Sequence, residues 1–80
     1  MGIKVVNTEA TKMNIRRMLK EKNMTPRYIQ RRLNLDSIQA VYKWIGDSGK
    51  GIPSLDNLIN LATILDCTLE DILVLNHVDI

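Results

Sequence analysis

The chain has 80 residues with a single cysteine and a single histidine, so it is one domain with a modest core and no internal disulfide. Cys67 and His77 alone do not make a four-ligand zinc site, and no segment has the length to cross a membrane. Net charge is only +2, yet it is polarised: eleven basic and four acidic residues give residues 1–50 a charge of +7, while five acidic and no basic residues give residues 51–80 a charge of −5.

A basic pole of this kind attracts polyanions and orients their approach, although charge also segregates by chance in short chains. The head, MGIKVVNTEATK, lacks the long apolar run of a signal peptide, so a cytoplasmic protein is expected.

Residues 1–11 read as an N-terminal arm, extended and β-prone. The first helix is expected over 12–22, with Ile15, Met18 and Leu19 on its inner side and Thr11 or Asn14 as its cap. Thr25-Pro26 starts a second helix, because the hydroxyl caps it and the proline lacks an N–H where none is needed. That helix runs to about Arg32, with Tyr28, Ile29 and Leu33 as its apolar positions and Arg27, Arg31 and Arg32 outward. Asn34 falls at a turn, since Asn tolerates left-handed backbone geometry. Leu35 reads as a buried plug between helices.

Asp36 or Ser37 is expected to cap a third helix, running to about Ile45. Val41, Trp44 and Ile45 share one inward face, which leaves Gln39, Ala40, Tyr42 and Lys43 on the other side. The stretch DSGKGIP is a loop. Ser54 caps a fourth helix whose apolar stripe is read as Leu55, Leu58, Ile59, Ala62 and Leu65. Thr68 opens a fifth, with Asp71 in the reciprocal capping place, Ile72 and Leu73 inward, and Cys67 packed as a small hydrophobe. Head and tail are both apolar and β-prone: they fray, pair with each other, or pack on a second copy.

A short helix, a tight turn and a second short helix make a helix-turn-helix, here Thr25 to Ile45. In that arrangement the second helix enters the DNA major groove by its N-terminal end. Gln39 suits both edges of adenine, Ser37 suits bases or phosphate, Ile38 and Ala40 suit a thymine methyl, and Lys43 reaches a phosphate. Plainer readings stand beside these. Gln39 is equally a solvated helix residue, Trp44 falls at core spacing, and Tyr42 is open to packing, to a phosphate hydrogen bond, or to neither. The arginines Arg27, Arg31 and Arg32 form either a solvated face or a backbone contact.

The segments NIRRMLKEKNMT (14–25), SIQAVYKW (37–44) and PSLDNLINLATILDCTLEDIL (53–73) resemble the Cro/C1-type, or XRE, helix-turn-helix family, and most closely its short single-domain members from Gram-positive bacteria. The resemblance covers about residues 12–74. It implies an all-α, five-helix lambda-repressor-like fold, DNA binding as a homodimer on a near-palindromic operator, and transcriptional regulation with repression as the expected sense. Carried over by position, it places Ser37, Ile38, Gln39 and Ala40 at the base-reading end of helix 37–45. Arg27, Arg31, Tyr42, Lys43 and Lys50 are then expected near the DNA backbone, and residues 75–80 form a tail expected in the dimer contact.

Three departures stand out. Pro26 occupies a place where the family often has glutamine bracing phosphate and recognition helix together, so that brace is absent and Arg27 takes part of its task. Gln30 occupies a place often held by a small alanine where the two helices cross, so it must bend outward or loosen the crossing. The loop from Trp44 to Pro53 is about two residues longer than the family leads one to expect. Gly49, Lys50 and Gly51 there either meet a phosphate or belong to a harmless insertion. The loop has neither the GxxxxGK[ST] pattern nor the preceding strand of a nucleotide-binding loop.

The competing reading is a protein-interaction module on the same fold, antitoxin-like or an adaptor, motivated by the acidic half, the apolar tail and the missing glutamine brace. Enzyme activity is not expected, since no nucleophile, base and orienting group can be assembled. No cofactor, metal or small-molecule ligand is expected, nor any membrane partner.

Overall fold

The computed structural model describes residues 2–46 and 51–80. Among these residues five helices pack around one core, and residues near the two ends pair as a small antiparallel ribbon. The helices are α1 (Thr8–Glu21), α2 (Pro26–Arg32), α3 (Gln39–Ile45), α4 (Leu55–Leu65) and α5 (Leu69–Ile72), and the strands are β1 (Gly2–Val6) and β2 (Leu75–Asp79).

α1 starts four residues earlier than the sequence suggests. Its cap is Asn7, whose side chain accepts from the Ala10 N–H at 3.0 Å. Neither of the expected caps caps it. Thr11 is fully buried, and its hydroxyl accepts from the Val74 N–H at 3.0 Å. The Asn14 amide donates to the carbonyls of Asp71 and Ile72, both at 2.9 Å, and so satisfies acceptors at the end of α5. Arg17 donates to the Asn14 side-chain oxygen Oδ1 and to the Glu21 carboxylate, each at 2.6 Å, extending the chain of contacts along α1. Lys12 is buried as well, which its charge gave no reason to expect.

α2 begins as expected, with the Thr25 hydroxyl accepting from the Tyr28 N–H at 3.1 Å and Pro26 next in line. α1, α2 and α4 all close in the same way. A residue in left-handed geometry follows the helix, namely Asn23, Asn34 and Asp66, with φ of 55°, 53° and 54°. The next N–H then reaches back to the helix: Met24 to the Leu19 carbonyl, Leu35 to that of Gln30, Cys67 to that of Ala62. This is the six-to-one closure usually built on glycine. α5 carries the reciprocal capping box, with the Asp71 N–H donating to the Thr68 hydroxyl and the Thr68 N–H to the Asp71 carboxylate.

The core joins Ile15, Leu19, Ile29, Val41, Trp44, Leu58, Leu61, Leu65 and Ile72. Three sequence expectations fail at its edge. On α4 the buried stripe is Leu58, Leu61, Ala62 and Leu65, while Leu55 and Ile59 are 66% and 48% exposed. The seven apolar side chains of this helix span more than one face, so periodicity admits either stripe and packing selects one. Tyr28, expected inward, is exposed, and Leu35 is half-buried against the core rather than a sealed plug. Cys67 packs on the core as expected; burial raises its thiol pKa, Asp71 and Asp66 add to this, and Lys22 opposes it, so the sulfur stays protonated at neutral pH.

β1 and β2 pair from Gly2↔Asp79 to Val6↔Leu75. Of the three fates open to the ends, they take mutual pairing. The pair is tied to the helices where the Asn7 N–H donates to the Val74 carbonyl at 2.8 Å.

Candidate nucleic-acid interface

α3 owes its attitude to two buried side chains. Val41 and Trp44 lie in the core, one turn apart, and fix which way the helix faces. The opposite side is therefore set: Gln39, Tyr42 and Lys43 are exposed, and Ala40 is half-buried between the two faces. Gln39 and Lys43 are one turn apart and share a stripe. Ser37 is exposed in the segment leading into α3, and Ile38, the residue just before the helix, is half-buried.

The start of α3 differs from expectation. The helix opens at Gln39 with Ile38 as its cap residue, already in right-handed helical geometry at φ −70° and ψ −22°, and no side chain caps it. Asp36 and Ser37 thus lie outside the helix. Ser37 is free of a capping task, and its hydroxyl belongs to the exposed edge.

Arg27 and Arg31 are exposed on α2, as is Arg32. Lys50, also expected near a nucleic-acid backbone, falls outside the described residues, as do Asp47, Ser48 and Gly49. The Gln30 side chain has partners that the sequence reading did not foresee. It is half-buried and donates from Nε2 to the Leu35 carbonyl at 3.1 Å, while its Oε1 accepts from Arg27 Nη1, also at 3.1 Å. In the sequence Gln30 is only an oversized residue at a crossing, with no signal that the turn offers a carbonyl at the right distance.

Among the described residues no group of three or more His, Cys, Asp or Glu side chains is placed to hold a metal ion, and no helix is long and apolar enough to cross a membrane. A concavity of about 650 Å³ lies between α1 and the α5–β2 junction, lined by Ala10, Met13, Leu73 and Leu75, and is wide open to solvent.

Two short helices joined by a turn, the second pinned by its apolar side and presenting a polar one, define a helix-turn-helix domain of the DNA-binding kind. The chain belongs to the Cro/C1-type HTH DNA-binding domain family, which matches residues 14–77. No curated protein and no solved structure gives a significant match. The family is a non-catalytic DNA-binding domain, in keeping with the absence of any expected enzyme site. Its members act through helix-turn-helix DNA binding in transcriptional regulation.

Proposed function

We propose that this protein is a sequence-specific regulator of transcription, acting as a repressor. It reads double-stranded DNA in the major groove with the segment Ser37–Ala40. The observation that carries the reading is the two-sided character of α3: Val41 and Trp44 lock one side into the core, and Gln39, Tyr42 and Lys43 stand exposed on the other. Gln39 serves as the main base contact, bonding adenine at N6 and N7, with Ser37, Ile38 and Ala40 against neighbouring base edges. Arg27, Arg31, Tyr42 and Lys43 hold the phosphates.

The active form is a homodimer on a near-palindromic operator, with the tail 75–80 in the dimer contact. A lone two-stranded ribbon is marginal in water. This one exposes Ile3 and Val78, directly paired, together with Val5 and Ile80.

Selection of bound duplexes from a random pool tests this reading, with the mass in solution measured in parallel. Recovery of one near-palindromic sequence and a dimer mass are expected. Replacing Gln39 with Ala should then cost about 1–3 kcal/mol on that sequence and relax selectivity at one base pair. Replacing Lys43 with Ala should weaken all duplexes alike and flatten the salt dependence. A pool that emerges without a preferred sequence would overturn the reading.

A further inference from the structure

The turn between α2 and α3 is held in an unusual way. Leu35 is gripped at both of its backbone polar groups by one residue: its N–H donates to the Gln30 backbone carbonyl at 3.0 Å, and its carbonyl accepts from the Gln30 side-chain amide at 3.1 Å. The other end of that amide is occupied too, since Oε1 accepts from Arg27 Nη1 at 3.1 Å. Only this orientation of the amide sets a donor against an acceptor at both ends. Three groups are therefore in series: the Arg27 guanidinium on the exposed start of α2, the Gln30 amide, and the backbone of Leu35. Two residues further on, the chain enters Ser37–Ala40.

We propose that Gln30 is a positioning residue for DNA recognition, coupling a phosphate held by Arg27 to the setting of the turn that aims Ser37, Ile38, Gln39 and Ala40. The inference rests on the reading of α3 as the recognition helix. Arg27 spends one N–H of its fork on Gln30, and the rest of its five donors remain for a phosphate. Holding the guanidinium in place removes rotamer freedom that a free arginine would lose on binding. The second hydrogen bond fixes a half-buried turn with no side-chain cap of its own at the start of α3. Pro26 has no side-chain donor or acceptor for such a link, and Gln30 provides one from the next turn of the same helix.

The test uses the whole chain with Gln30→Met, Gln30→Glu, Arg27→Ala and the Arg27→Ala/Gln30→Met double variant. Gln30→Met keeps length and loses both links; Gln30→Glu keeps the acceptor for Arg27 and loses the donor to Leu35. Three quantities are read: the melting temperature, amide exchange at Leu35, Val41 and Tyr42 without DNA, and affinity for the selected duplex against an unrelated one. Gln30→Met is expected to speed exchange at these amides and to lower the selected-to-unrelated ratio by about fivefold, a size typical of members of one hydrogen-bond network. Gln30→Glu should lower that ratio similarly while keeping the Arg27 contribution. In the double variant the cost of losing Arg27 should shrink.

Additive effects of Arg27→Ala and Gln30→Met would overturn the proposal. So would a fall in melting temperature with an unchanged affinity ratio, which marks a merely structural residue. If the unaltered chain fails to discriminate between duplexes, the recognition reading falls first. The Gln30 link then stands or falls on the exchange data alone.

Discussion

Asp71 shows how much one side chain contributes where its neighbours are chosen for it. The Thr68 backbone N–H, and after it the Thr68 hydroxyl, hydrogen-bond its carboxylate and hold its pKa below the usual carboxylate value. The unfolded chain therefore takes up a proton here before the folded one does. The stability this carboxylate contributes is complete above the ordinary carboxylate pKa and is lost as pH falls through its own lowered value. Thermal melts across the acid range should show the loss, and Asp71→Asn, which has no carboxylate to protonate, should show a shallower decline. The same box is legible in the sequence as Thr68 and Asp71 three apart, because a cap is a contact between residues that are already neighbours. Asn14 and Thr11 show the opposite case. Both look like caps and neither is one, because their partners stand 57 and 63 positions away.

At the scale of the element, three helices end on left-handed Asn or Asp where glycine is the more usual choice. These side chains tolerate the geometry better than others with a β-carbon, through local hydrogen bonding. Asn34 is the informative position, because it opens the turn into α3. Asn34→Ala should destabilise the fold by about 1 kcal/mol, with Asn34→Gly close to neutral, as measured by denaturant unfolding. A loss of the same size in both would show that the Asn side chain matters for something other than its backbone geometry. α2 was legible from Thr25 and Pro26, and α3 from Val41 and Trp44. The start of α3 was not: a capping residue was expected at Asp36 or Ser37, and the chain instead turns through Ile38 without one. On α4 the apolar residues were too many for periodicity to choose a face, and Leu61 rather than Leu55 or Ile59 went inside.

The whole molecule is a small helical body closed by its own termini. Among the described residues, the links between the ends and the helices include the Asn7 N–H on the Val74 carbonyl, the Val74 N–H on the Thr11 hydroxyl, and the Asn14 amide on the end of α5. Truncation after Leu75 keeps all three and removes most of β2. The truncated chain should retain its helical circular dichroism. If the tail makes the dimer contact, its mass should fall to that of a monomer and its affinity for a palindromic duplex should drop, since two half-sites are no longer held by one particle. An unchanged mass would move the dimer contact elsewhere on the surface.

The sequence by itself determined the family, the helix-turn-helix span, the starts of α2, α4 and α5, and the division of α3 into a buried and an exposed side. The helix starts and the division of α3 depend on residues within about one helical turn of one another, where spacing alone brings groups together, while the family rests on the resemblance of whole segments. Tertiary structure decided the rest: where α1 begins, which stripe of α4 is buried, that the two termini pair, and what Gln30 does. In each of these the sequence offers a group with more than one possible partner, and only the packed chain brings one partner within hydrogen-bonding or van der Waals reach. Gln30 is the clearest instance, an oversized residue in the sequence and a two-ended hydrogen bond in the fold.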